Sequence, residues 1–130
     1  MTRDEMLEPI VQSIRQGTSY SRGELERFFG DWILSPYCIQ DRHVGTFAFK
    51  GTEIHFAFVR GYRPPACWRG AIKAHLQPHF DKYGFLTTRV PHDRPLQKDF
   101  VKRVGFRPTW QDDNVEYFML SSMPFQRNAT

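Results

Sequence analysis

Cysteine is scarce in this chain. The two that occur in its 130 residues, Cys38 and Cys67, have neither the spacing of a zinc site nor the number for a disulfide framework. Both stand among apolar neighbours, so two buried free thiols in a reducing compartment are expected. Long apolar runs are missing too. No stretch approaches the ~20 residues that a membrane-spanning helix requires. The opening segment, MTRDEMLEPIVQSIRQG, has acidic residues where a secretory leader needs an unbroken apolar core, so it reads as part of the fold, and the expected protein is soluble and not secreted by that route. Nor is one sign of charge in large excess. The formal charge is +4, with Lys and Arg dispersed among acidic residues. That pattern suits a solvated surface better than a dedicated nucleic-acid groove.

Aromatic residues, by contrast, are plentiful: 15% of the chain, with 12 phenylalanines. Such a load argues for a packed core and against disorder. The length suits one domain, able to bury roughly two-thirds of its unfolded surface without staples.

Helical spacing opens the chain. Over 3–16, Met6, Ile10 and Ile14 share a face with Leu7 and Val11 beside them, and Gly17 stops the helix. After a turn at 18–22, Ser21 and Glu24 have capping-box spacing for a second helix carrying Leu25, Phe28 and Phe29 and ending near Gly30. From Trp32 the period becomes extended. Strands are expected at 33–40, 43–50 and 52–60, joined at Asp41–Arg42 and Lys50–Gly51 into an antiparallel meander. The segment RGYRPP at 60–65 breaks the pattern. A helix is expected at 66–82, a strand at 85–90, a helix capped by Asp93 at 95–104 with Leu96, Phe100, Val101 and Val104 apolar, and strands at 106–111 and 115–121. The turn Asp112–Asp113–Asn114 joins the last two strands. A frayed tail follows over 122–130, leaving 1–121 as the domain. The order α-α-β-β-β-α-β-α-β-β implies an α+β fold in the broad α/β class. Its central sheet is mixed and mostly antiparallel, with helices on both faces.

That order, without an initial strand, is similar to the GNAT N-acetyltransferase fold. The run FLTTRVPHDRPLQKDFVKRVGFRPTWQDDNVEYFML carries the resemblance best, and Phe100-Val-Lys-Arg-Val-Gly-Phe106 looks like the family's fourth-helix signature, with Gly105 as the cap and Phe106 returning to the core. The resemblance implies acetyl-CoA as cofactor if the chain is an enzyme. It also implies a diphosphate loop of the form Arg/Gln-x-x-Gly-x-Gly/Ala. The closest match is Arg63-Pro-Pro-Ala66-Cys-Trp68, followed by Arg69. Arg63 fits. Ala66 and Trp68 replace glycines, and Pro64 and Pro65 offer no N–H, so the loop loses donors and gains bulk where a cofactor approaches. Gly70 lies too late in the chain unless the loop is longer than this alignment makes it. The family's proton donor to the departing thiolate, a tyrosine, falls at Val101, which cannot transfer a proton. Glu53 and His55 are the candidates for proton transfer on the strands, against the plainer reading of a solvated strand-edge Glu and a half-buried His.

Other candidates have plainer explanations. His75 and His79 have metal-ligand spacing, yet 75–79 reads HLQPH rather than HExxH, so no metal is expected. Cys67 lies two helical turns from His75, too far for a nucleophile and its base. Asp112 and Asp113 suit turn chemistry. Tyr62, Trp68 and Trp110 with Arg60, Arg63 and Arg69 form either a basic aromatic patch for bases or a partner, or two core tryptophans with solubilising arginines.

The altered loop resembles, in family style, small GNAT-like head-assembly or internal virion proteins of short-tailed phages. The tracts EIHFAFVRGYRPPACWRGAIK and RPLQKDFVKRVGF carry that likeness. It implies a virion-assembly role through contacts with head proteins, no cofactor, and a location in the host cytoplasm or virion. The alternatives are an active N-acetyltransferase with an atypical loop and a nucleic-acid module using residues 60–69.

Overall fold

The computed structural model describes residues 1–16 and 19–122. Gly17, expected to stop the first helix, and the tail beyond 122 lie outside the described residues. The fold class is α+β, with four helices and a mixed, mostly antiparallel set of six strands, as the sequence pattern indicates. The chain divides into two compact units, Met1–Arg63 and Pro64–Thr130.

The first unit holds α1 (Arg3–Arg15), α2 (Arg22–Phe28), β1 (Ile33–Ile39), β2 (Arg42–Lys50) and β3 (Glu53–Phe58). Thr2 caps α1, its hydroxyl accepting from the Glu5 amide at 3.1 Å. The capping box on α2 is complete: Ser21 Oγ accepts from Glu24 N, and the Glu24 carboxylate accepts from Ser21 N. Each such cap satisfies amides that no helical carbonyl can reach. The strands form an antiparallel meander with β2 in the middle. Every residue of β2 from Val44 to Phe49 is buried, so both of its faces are covered. On one face Ala48 and Ala57 join Leu7, Ile10, Val11, Leu25, Phe29 and Trp32 in a core under α1 and α2. On the other, Phe47 packs on Phe56 at 4.4 Å and stacks near-parallel to Phe49. The β1–β2 connection falls on Gln40 and Asp41, both with positive φ, one residue earlier than expected. The β2–β3 turn uses Gly51 at φ 59°.

The second unit holds α3 (Trp68–Tyr83), β4 (Leu86–Pro91), α4 (Pro95–Val104), β5 (Arg107–Gln111) and β6 (Val115–Leu120). Here β6 pairs antiparallel with β4 on one side and β5 on the other. Gly84 ends α3 in the left-handed conformation, φ 80°. At the end of α4 the Val101 carbonyl accepts from both Gly105 N and Phe106 N, the corner expected of Val-Gly-Phe. The other end departs from expectation. Arg94, not Asp93, is the N-cap, and no side chain caps the helix. Pro95 at the first position removes one amide that would need a cap. Leu96, expected on the apolar face, is 82% exposed because it lies in the first turn, beyond the neighbours that cover Val104.

Gly45 sits where β2 passes closest to β3. A Cβ there would stand 2.8 Å from the Phe56 ring and 3.0 Å from the Ala57 carbonyl. Gly45→Ala is expected to destabilise the chain by about 1–3 kcal/mol through overpacking. Urea unfolding should show a lower midpoint with an unchanged slope.

Candidate functional site

Glu53 and His55 lie two apart on β3 and so share a face. Their side chains meet, with Nε2 of His55 2.8 Å from Oε2 of Glu53, and they are only 24% and 21% exposed. Glu53 is therefore not the solvated edge residue of the plainer reading. Its register partner on β2 is Lys50, and that of His55 is the fully buried Ala48. Two rings stand against the imidazole. Trp32 lies 5.2 Å from it by centroids, and Phe29 lies 6.0 Å away, edge-on. An ionised carboxylate only accepts, so Nε2 carries the proton and donates to Glu53, which leaves Nδ1 with a lone pair.

The loop candidates fall on the chain as follows. Gly61 takes φ 84°, and Tyr62 N donates back to Val59 O at 3.0 Å, turning the chain after β3. Its ring packs 5.6 Å from Phe58. Arg63 closes the first unit. In the second unit, the Pro65 carbonyl accepts from Trp68 N at 3.0 Å, and α3 begins at Trp68, two residues later than expected. The loop is longer by those two residues. Gly70, too late under the sequence alignment, is thus the third residue of the helix, and a Cβ built on it meets nothing within 4 Å. Trp68 adds no bulk to the loop: its indole stacks on Phe100 of α4 at 4.9 Å and 9°. Ala66 and Arg69 are exposed.

This helix end attracts anions. The amides of a first turn have no helical acceptor, and the axis dipole is positive there. No acidic residue occupies the turn, whereas Arg69 does and Lys73 follows one turn on. Lys73, which the sequence did not single out, is only 7% exposed. Burial first, and then the Arg69 charge, hold its amine below the usual lysine range. Cations at a positive helix end are unfavourable by themselves; an anionic ligand reverses that sign. The amides and guanidinium of 69–70 are the donors at this end, while Pro64 and Pro65 have none to give and the Trp68 amide is already engaged.

The remaining candidates separate. Val101 is half-buried on α4, with no titratable group. Burial pushes the His75 imidazole below its ordinary range, and His79 packs on Tyr83 at 5.0 Å. Among the described residues no three His, Cys, Asp or Glu side chains form a group that could hold a metal ion. Both cysteines are exposed, against expectation, because Cys38 lies at an irregularity in β1 and Cys67 in the turn before α3. Trp110 is not core either. It is 62% exposed on β5, which is exposed along its whole length, and packs on Tyr117 at 5.2 Å. Asp112 does serve the turn: Oδ1 accepts from Asn114 N at 2.7 Å and Val115 N at 2.8 Å. Among the described residues no helix is long and apolar enough to cross a membrane.

Solved structures match this architecture over nearly the whole chain. A Bacillus subtilis acetyltransferase in complex with CoA superposes with a TM-score of 0.66 at 9% identity, covering 92% of this chain and 93% of that one. A GNAT-family acetyltransferase from Bacillus anthracis gives 0.59 at 13%, covering 90% and 81%. The dodecameric spermidine N-acetyltransferase of Vibrio cholerae gives 0.61 at 14%, covering 96% and 92%. At such identities the match establishes the fold: this chain has the GNAT acetyltransferase fold. No family model matches the sequence, and no curated protein matches it. The virion-protein likeness finds no counterpart in these three structures.

The Asp112 carboxyl is held below the usual carboxylate range by the Val115 amide, then the Asn114 amide. A depressed folded-state value stabilises the fold above the unfolded value and ceases to do so as pH falls through the folded one. The β5–β6 turn should therefore loosen as pH drops below the unfolded value of 3.8. Amide-exchange protection factors at Asn114 and Val115 check this, with protection expected to fall below that pH and to change less in Asp112→Ala.

Proposed function

We propose that this chain is an acetyl-CoA-dependent N-acyltransferase that receives the cofactor's diphosphate at a helix end rather than along a glycine loop. One observation carries the reading: α3 starts at Trp68, which brings Gly70 and Arg69 into its first turn with no acidic residue beside them. The amides of Arg69 and Gly70 and the guanidinium group of Arg69 would hold the diphosphate, and Ala66 leaves room beside it. Bound acetyl-CoA supplies an activated thioester. The chain's own chemistry is proton transfer. In the first unit, Nδ1 of His55 would be the acceptor for an amine proton, directly or through one water, with Glu53 balancing the imidazolium. Acyl transfer from that thioester to an amine would leave a CoA thiolate, which Val101 cannot protonate, so its proton would come from solvent.

A second reading is favoured by Pro64 and Pro65, which deny a diphosphate two amides. It makes the chain a cofactor-free GNAT-fold protein acting through protein contacts, with head assembly in a phage as the role its sequence style resembles.

Calorimetry with CoA and acetyl-CoA distinguishes them. Stoichiometric binding is expected, and its absence at millimolar cofactor leaves only the second reading. Arg69→Ala should weaken binding by up to about fivefold, as expected for a solvent-exposed charge pair. His55→Ala should leave cofactor affinity intact and lower kcat roughly a hundredfold, measured as free thiol released with an amine acceptor.

A further inference from the structure

We propose that Arg3, at the opposite end of the first unit's sequence from β3, is a positioning residue for the Glu53–His55 pair; the proposal rests on reading that pair as the proton acceptor. Arg3 is the first residue of α1. Its Nη2 donates to Phe29 O at 2.7 Å and Trp32 O at 2.9 Å, with Gly30 O at 3.4 Å. The Phe29 and Gly30 carbonyls follow the C-terminal end of α2, where no further helical amide can satisfy them and a cation is favoured, and the Trp32 carbonyl leads into β1. Trp32 N donates to the same Phe29 carbonyl at 3.1 Å, closing the turn. One guanidinium thus gathers the carbonyls of a turn 26 to 29 residues away.

The turn carries the two rings that confine His55. Phe29 and Trp32 pack edge-to-face at 5.1 Å, and both are at most 3% exposed. Each also stands against the imidazole, at 6.0 and 5.2 Å. Walled in by these rings, the imidazole is held in the orientation that directs Nε2 to Glu53. A second tie runs from the same turn: Asp31 pairs with Lys50 at 2.9 Å, and Lys50 is the register partner of Glu53. That pair is well exposed, 67% and 54%, so it contributes little. The charge-assisted bonds of Arg3 to the carbonyls carry more of the restraint.

The test compares the full chain with Arg3→Met and Arg3→Lys. Proton–carbon NMR reads the His55 ring resonances, which the currents of Trp32 and Phe29 displace. In Arg3→Met they should move toward the values of an unstacked histidine, with loss of the Overhauser contact between the Trp32 indole and His55. Arg3→Lys, whose ammonium offers three donors to the same carbonyls, should restore both. If Arg3→Met folds poorly, Arg3→Gln, uncharged and with fewer donors, is read by the same spectrum. In turnover, Arg3→Met should lower kcat roughly tenfold to a hundredfold with KM for acetyl-CoA unchanged, as misplacement of a catalytic group does. Unmoved His55 resonances in Arg3→Met, or no restoration by lysine, overturn the proposal. Resonances that move as expected in a chain that transfers no acyl group support the clamp and remove the proton-acceptor reading instead.

Discussion

Two adjacent residues without an N–H decide where α3 begins, and the chemistry of the second unit follows from that start. A residue that precedes proline is pushed out of the helical region, so Arg63 and Pro64 are both held extended. The earliest position free to turn is past Pro65, whose carbonyl then takes the amide of Trp68. A single-residue spacing rule sees Ala66 and Trp68 where glycines should be, with two prolines just before them, and concludes that the cradle is spoiled. The same prolines also delay the helix, and the delay moves Gly70 and Arg69 into its first turn. Donors are lost upstream and presented downstream. Trp68, the bulk that counts most against a cofactor in the linear alignment, is drawn off by Phe100 into an offset aromatic stack.

The second unit shows which local signals can be trusted. The limits of α4 were legible to the residue, since Pro95 fits only a first turn and Gly105 supplies the cap. The start of α3 was not, since no side chain caps it and its onset is set by backbone exclusion. Exposure was harder still. Periodicity says which residues share a face, but not whether another element covers it. Leu96 and Trp110 follow an apolar pattern and still stand in solvent. The two cysteines fail for the same reason: apolar neighbours in sequence do not ensure neighbours in space.

Glu53 and His55 were found by the shortest-range rule available, that alternate residues on a strand share a face. What surrounds them was not legible. Trp32 and Phe29 come from the turn after α2 and stand against His55, while Arg3 comes from α1 and binds that turn's carbonyls, all through tertiary contact. No signal in the sequence of Arg3 separates it from the other basic residues of the chain, because its partners are backbone carbonyls, which every residue owns.

This division has a physical cause. Proton transfer needs a specific atom in a specific place, so the residue type is constrained and can be read off a sequence. Holding that atom in place needs only volume, a donor or a ring, which many residues supply from many positions. Carboxylate and imidazole alone would be a pair free to separate in water. Two buried rings stand against the imidazole and exclude solvent on those sides, so its contact with Glu53 is kept by packing as well as by the hydrogen bond itself. The rings that stand against the pair sit on a turn whose carbonyls Arg3 binds from the first turn of α1.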